Sequence, residues 1–115
     1  FEATREEREA LFDLLDEVRS RLQKTPQQPI ADMDGERVPD GFNVGINDGA
    51  AAGQTVFHLH IHLIPRFIGD CHDPRGGVRK IFPDRASYWK SEKTSMKYEK
   101  RLKEHNIGKH LTNGE

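Results

Sequence analysis

Along the first part of the chain, apolar residues recur at three- and four-residue steps, and most positions between them are charged. This spacing places one apolar stripe on a helix, made of Leu11, Leu14, Leu15, Val18 and Leu22. Thr4 is a helix-capping residue type, and Glu7 follows it at the spacing of a capping box. The pattern predicts an amphipathic helix that begins after Thr4 and packs on a sheet of its own chain.

Alternation of apolar and polar residues predicts two strands farther along. Residues 42–46 indicate a short strand with one buried face, preceded by a loop at 25–40 and followed by turn residues at 47–49. Residues 55–64 give the strongest strand pattern. Side chains alternate across a strand, so the histidines of this segment are predicted to share one face: His58, His60 and His62.

The remainder of the chain gives weaker signals. Residues 78–82 favour a short third strand, and residues 88–104 favour a charged helix. We expect 90–115 to form a charged C-terminal extension. Tyr88 and Trp89 are expected to pack on the sheet or at a dimer interface. We expect surface positions for His72, His105 and His110.

The composition limits the classes of protein that fit. The chain has 115 residues, 34% hydrophobic and 32% charged, so we expect either an oligomer or part of a larger fold. A formal net charge of -1 does not favour long nucleic acid, and no apolar run approaches a membrane span. Cys71 is the single cysteine, so no internal disulfide is expected and a cytoplasmic location fits.

Three histidines in register beside a glycine-containing loop indicate chemistry on phosphorus. Neutral imidazole is an effective nucleophile, and neighbouring histidines can hold its tautomer or carry a proton to the leaving group. The central His60 is therefore the candidate nucleophile. In the loop, glycine lets backbone N–H groups approach phosphate closely, and amide or hydroxyl side chains donate further bonds. The candidate substrate-binding residues are Asn47, Gly53, Gln54 and Thr55.

Two other interpretations of the histidines remain open. In the first, they hold a metal ion. Adjacent histidines on one strand face lie ~6.7 Å apart and can share an ion, whereas the outer two lie ~13 Å apart, too far for zinc–nitrogen bonds of ~2.1 Å. Cys71 or His72 would then have to complete the ligand set. In the second, the histidines only cover a solvated sheet face.

Residues 53–66 resemble the signature of the histidine triad (HIT) family, in which three histidines alternate with apolar residues after a Gly-Gln-Thr sequence. Residues 43–48 resemble the preceding strand of these proteins, and 73–79 resemble a stretch found after the triad in some bacterial members. The resemblance covers residues 4–89. It is closest to bacterial dinucleoside polyphosphate hydrolase-like members.

The resemblance implies an α+β fold, with an antiparallel HIT-like sheet and flanking helices, and commonly a homodimer. The family's N-terminal strands are missing from this chain, so we expect 1–115 to form a single, partial HIT domain. Those strands carry most of the nucleoside pocket. A nucleotide-binding module without catalysis is therefore the alternative to an enzyme.

The resemblance also implies a nucleotide hydrolase or nucleotidyl transferase, acting at the α-phosphate of dinucleoside polyphosphates or nucleoside phosphoramidates. His60 would attack phosphorus and form a nucleotidyl-histidine intermediate. His58 and His62 would support its orientation and the leaving group. The family needs no metal or other cofactor. The expected partner is a small nucleotide rather than a long nucleic acid or a membrane.

Overall fold

The computed structural model describes residues 2–86 and 96–104. The chain divides into two compact units, Phe1–Asp73 and Pro74–Glu115. The first unit holds a long helix and a two-stranded antiparallel sheet, so the fold class is α+β as predicted. The assignment of the whole chain to one partial domain with a charged extension stays a prediction.

The first helix, α1, spans Arg5–Leu22, and the predicted capping box is present at its start. The Thr4 hydroxyl accepts a hydrogen bond from the backbone N–H of Glu7, and the Glu7 carboxylate accepts one from the backbone N–H of Thr4, both at 3.1 Å. These bonds satisfy backbone donors that a helix start leaves unpaired. Hydrogen bonding to Thr4 also lowers the pKa of the Glu7 carboxyl, because the bonds favour its charged form.

The sheet pairs two five-residue strands, β1 at Gly41–Gly45 and β2 at His62–Arg66, in antiparallel orientation. The register sets Gly41 opposite Arg66 and Gly45 opposite His62. The strand predicted at 42–46 is therefore confirmed, with bounds shifted by one residue.

The strand predicted at 55–64 is wrong over 55–61. Only residues 62–64 of that segment belong to β2, which continues to Arg66. A strand is held by its backbone ladder, and no strand of the described ranges pairs with 55–61. An alternating pattern shows that a segment is suited to a sheet, but it does not supply the pairing strand.

The expectation of one buried face on β1 is also wrong. No residue of β1 is buried; Val44 is 43% exposed, and Ile64 on β2 is 41% exposed. A sheet of two strands gives each face little cover, so apolar side chains stay partly in solvent. Phe67, directly after β2, is buried.

The apolar stripe of α1 is covered only in part. The helix contacts β2, as expected, and the Arg19 guanidinium lies 5.5 Å from the ring centre of Phe42 on β1. No residue of α1 is buried, however, and Leu14 is 53% exposed. The two strands offer too little surface to enclose the whole stripe.

In the second unit, the strand predicted at 78–82 is wrong, because Gly77–Ile81 forms a 3₁₀ helix. Hydrogen bonds three residues apart satisfy its backbone locally, for example from the Arg79 N–H to the Gly76 carbonyl at 3.0 Å. Residues 96–104 are helical, in agreement with the later part of the helix predicted at 88–104. Four further positions discussed above lie outside the described residues: Tyr88, Trp89, His105 and His110.

A polar network joins the end of β2 to β1 and to the following loop. The Arg66 guanidinium donates two hydrogen bonds to the Asp70 carboxylate, at 2.7 and 2.8 Å, and a third to the Asn43 side-chain oxygen. The Asp70 carboxylate also accepts the backbone N–H of Phe67 at 3.0 Å. The bonds from Arg66 lower the pKa of Asp70 to about 2, against an opposing effect of burial.

Within the described ranges, no helix has the length and apolar content that crossing a bilayer requires.

Replacing Thr4 by alanine removes the side-chain acceptor of the capping box. We expect the free energy of unfolding to fall by about 1 kcal/mol, the usual cost of a lost N-cap. Urea denaturation followed by circular dichroism measures the change. Ser20→Ala removes a hydroxyl from the exposed surface of the same helix and should change stability by less than about 0.5 kcal/mol. Equal losses in the two variants would contradict the capping role.

The lowered pKa of Asp70 makes its stabilising effect dependent on pH. The folded state favours the carboxylate, so the contribution is complete above the ordinary pKa of 3.8 and is lost as the pH falls toward 2. We expect Asp70→Asn to lower the free energy of unfolding by about 1 kcal/mol at about pH 7, and the difference from wild type to shrink below about pH 4. Urea titrations at several pH values test this.

Asp34→Asn is the matched control, since Asp34 is an exposed carboxylate of the same unit. It should change the free energy of unfolding by less than about 0.5 kcal/mol at about pH 7. A difference between Asp70→Asn and wild type that stays constant down to about pH 2.5 would refute the linkage.

Candidate active site

Within the connection from β1 to β2, residues 49–54 form a tight loop that is closed by backbone hydrogen bonds. Gly49 and Gly53 have φ angles of 91° and 89°, on either side of a 3₁₀ turn at Ala50–Ala52. The Gly53 N–H donates to the Ala50 carbonyl at 3.0 Å, and the Gln54 N–H donates to the Gly49 carbonyl at 3.1 Å. These two N–H groups are therefore engaged inside the loop. The predicted contact of Gly53 with phosphate stays a prediction.

The side chain of Gln54 spans this loop. Its oxygen, Oε1, accepts the Gly49 N–H at 2.8 Å. Its nitrogen, Nε2, donates to the backbone carbonyls of Val56 at 3.2 Å and His58 at 3.3 Å. One side chain thus connects the start of the loop to the segment that carries the histidines.

The three histidines do not share a strand, but His58 and His60 lie close together. His58 and His60 belong to the irregular segment before β2, and their rings stack with centroids 4.5 Å apart and planes at 24°. His62 is the first residue of β2. The predicted common strand face is wrong, because no strand in the described part of the chain pairs with 55–61. The predicted proximity of His58 and His60 is nevertheless realised by their stacked rings.

A backbone carbonyl faces one ring nitrogen of the central histidine and favours one tautomer of the neutral ring. Nδ1 of His60 lies 2.7 Å from the carbonyl oxygen of His58. A carbonyl oxygen only accepts hydrogen bonds, so this contact requires a proton on Nδ1. In the neutral ring, Nε2 then carries the free electron pair, which is the form that a nucleophile needs.

Two cavities share Asn47 and Gln54 in their walls. The smaller has a volume of about 110 Å³ and is lined by six of the seven predicted site residues: Asn47, Gly53, Gln54, Thr55, His60 and His62. The seventh, His58, lines the larger cavity of about 400 Å³. The structure therefore brings the central histidine and the predicted phosphate-binding residues together around one small cavity.

The larger cavity includes residues that sequence reasoning did not assign to the site. The alternation of 55–64 places Phe57 on a buried face, yet Phe57 is 66% exposed and lines this cavity with Asp48. The sequence predicts Asp48 only as a turn residue. The sequence does not show that Asp48 and Phe57 line a cavity. Asp48 has the pattern of a turn residue and Phe57 that of an apolar strand residue, and neither pattern changes when a cavity lies beside it.

The metal interpretation requires Cys71 or His72 as an additional ligand. Cys71 is exposed, and its sulfur accepts a hydrogen bond from Arg66 Nη2 at 3.2 Å. His72 is exposed, as predicted. Within 2–86 and 96–104, no group of three or more His, Cys, Asp or Glu side chains is placed to hold one metal ion.

The fold and site define an α+β protein with a histidine triad beside a glycine-containing loop. The family model described as HIT domain matches residues 1–69, more than half of the chain. The chain belongs to the HIT domain family. Its described residues form a HIT-like fold that lacks some of the family's strands.

Three relatives show how far the similarity extends. Adenylylsulfatase HINT3 of Arabidopsis thaliana is 44% identical over 62 residues, covering 44% of this chain and 31% of that protein. An uncharacterized HIT-like protein of Mycobacterium tuberculosis is 42% identical over 76 residues, covering 56% of this chain and 53% of that protein. AP-4-A phosphorylase of the same organism is 40% identical over 63 residues, covering 54% of this chain and 32% of that protein.

The chain thus spans about half or less of the length of these relatives. No solved structure is significantly similar to it.

Gly53 allows a test of the loop geometry. Its φ of 89° lies in the left-handed region, and an added Cβ would meet no atom within 4 Å, so Gly53→Ala introduces backbone strain without a clash. We expect a loss of about 1 kcal/mol in the free energy of unfolding, measured by urea denaturation. Gly41→Ala is the control, since Gly41 also faces open space and has no positive φ. A loss as large at Gly41 would show that the loop conformation is not the cause.

Proposed function

We propose that this protein is a nucleotide hydrolase or nucleotidyl transferase that acts at an α-phosphate through a nucleotidyl-histidine intermediate on His60. The observation that carries the proposal is the hydrogen bond from Nδ1 of His60 to the His58 carbonyl, 2.7 Å long, at the wall of the small cavity. It leaves Nε2 as the nucleophilic nitrogen beside side chains suited to phosphate. Dinucleoside polyphosphates and nucleoside phosphoramidates are the proposed substrate classes.

In the first step, the electron pair of Nε2 of His60 forms a bond to the α-phosphorus. The bond from phosphorus to the leaving group breaks at the same time, and its electrons go to the leaving group. A flanking histidine, His58 or His62, donates a proton to that group. Asn47 and Thr55 donate hydrogen bonds to the phosphoryl oxygens, where charge develops in the transition state.

In the second step, water attacks the phosphorus of the nucleotidyl-histidine. The nitrogen–phosphorus bond breaks, and its electrons return to Nε2 of His60. The flanking histidine takes the proton from water, and a nucleoside monophosphate leaves. In a transferase, another acceptor replaces water in this step.

Three observations support the nucleotide as substrate. The chain belongs to the HIT domain family. Two relatives bear the names adenylylsulfatase and AP-4-A phosphorylase. Six predicted site residues meet in one cavity wall. The proposal includes a homodimer and a cytoplasmic location, supported by the family resemblance and, for the location, by a single cysteine.

Replacing His60 by alanine removes the proposed nucleophile. We expect wild-type protein, without added metal, to release AMP from diadenosine tetraphosphate, and His60→Ala to be slower by about 10³-fold or more. Chromatography of the products measures AMP. Mass spectrometry of acid-quenched wild type should find one adenylyl group on His60.

His72→Ala is the matched control, because His72 is an exposed histidine outside the triad. It should retain wild-type turnover. Wild-type turnover in His60→Ala would refute the covalent mechanism. Nucleotide binding by wild type without AMP release or labelling would instead favour the non-catalytic nucleotide-binding module.

A further inference from the structure

We propose that Gln54 is a positioning residue, which holds the His58 carbonyl and through it the reactive tautomer of His60. The catalytic meaning of this inference rests on the proposed function, whereas the contacts belong to the free protein. It differs from the role expected from the sequence, in which Gln54 contacts phosphate or the leaving group.

The hydrogen-bonding capacity of Gln54 is directed into its own chain. An amide side chain has two N–H donors, and those of Gln54 face the carbonyls of Val56 and His58, at 3.2 and 3.3 Å. The amide oxygen accepts the Gly49 N–H at 2.8 Å. To donate to a phosphate oxygen, the amide would have to release one of the two backbone carbonyls.

The His58 carbonyl receives two donors. One is Nε2 of Gln54 at 3.3 Å and the other is Nδ1 of His60 at 2.7 Å. A carbonyl oxygen has two lone pairs, so both bonds fit on one acceptor. The orientation of this peptide group decides whether His60 keeps its proton on Nδ1. Gln54 therefore acts on the nucleophile without touching the reacting phosphorus.

The backbone in this segment depends on such side-chain bonds. The described strands pair only 41–45 with 62–66, so the ladder does not hold the carbonyls of Val56 and His58. Both carbonyls lie in the bend before β2, where the His58 N–H donates back to the Val56 carbonyl at 3.0 Å. The Gln54 amide supplies the bonds that a neighbouring strand would otherwise give.

Gln54→Glu tests the inference, because the substitution removes both N–H donors and keeps an oxygen that can accept the Gly49 N–H. The first readout is proton–nitrogen correlation NMR of the ring of His60 in the free, isotope-labelled protein at about pH 8, where imidazole is neutral. We expect wild type to hold the Nδ1–H tautomer. In Gln54→Glu the ratio of the two tautomers should shift about tenfold toward Nε2–H, the factor expected for one net hydrogen bond.

The second readout separates kcat from KM on diadenosine tetraphosphate. A positioning residue should lower kcat by about tenfold and leave KM within about twofold. Gln28→Glu is the control, because Gln28 Nε2 also donates to a backbone carbonyl, that of Met33 at 2.6 Å, away from the triad. It should change neither the tautomer nor kcat.

Gln54→Met provides a second variant of similar length in case the carboxylate disturbs folding, and the amide spectrum of β1 and β2 reports whether the sheet has formed. An unchanged His60 tautomer in folded Gln54 variants would overturn the inference. A raised KM with unchanged kcat would also overturn it and identify a substrate contact. If wild type shows no turnover, the proposed function fails, and the NMR readout alone decides the role of Gln54.

Discussion

The antiparallel pairing of Gly45 with His62 is the constraint on which the candidate site depends. All other predicted site residues lie in the connection between these two positions. Because the ladder holds both ends of that connection at one place, residues far apart along it, such as Asn47 and His60, meet in one cavity wall. At the opposite end of the ladder, Arg66 binds Asn43 on the neighbouring strand and so supports the register that sets His62 opposite Gly45.

The sequence predicts a structural feature best when the interaction that forms it joins residues close together along the chain. The capping box of Thr4 joins residues three positions apart and is predicted correctly, and β1 is predicted with its bounds shifted by one residue. The segment 55–61 has an equally clear pattern, but its state depends on a pairing strand that no local signal reveals. Residue type and spacing select seven candidate site residues; six of them line the small cavity, and their roles stay predictions. The bonds of Gln54 are not predicted, because the sequence does not show which carbonyls its amide meets.

His58 contributes to the site through its backbone as well as its ring. The ring stacks on His60 and lines the larger cavity, while the carbonyl accepts hydrogen bonds from His60 and Gln54. Substitution of the side chain would leave that carbonyl in the chain. A substitution at His58 therefore removes the ring but does not test how the carbonyl of this residue affects the tautomer of His60.

The loop at 49–58 is organised by a small number of hydrogen bonds, several of them from one side chain, whereas β1 and β2 share a continuous ladder. Segments held by few, solvent-exposed bonds open at a lower free energy than the sheet to which they are attached. The loop can consequently open while β1 and β2 stay paired. On heating, His60 would lose its contact with the His58 carbonyl before the strands separate, so the opening of the loop and the unfolding of the sheet would be two distinct thermal events.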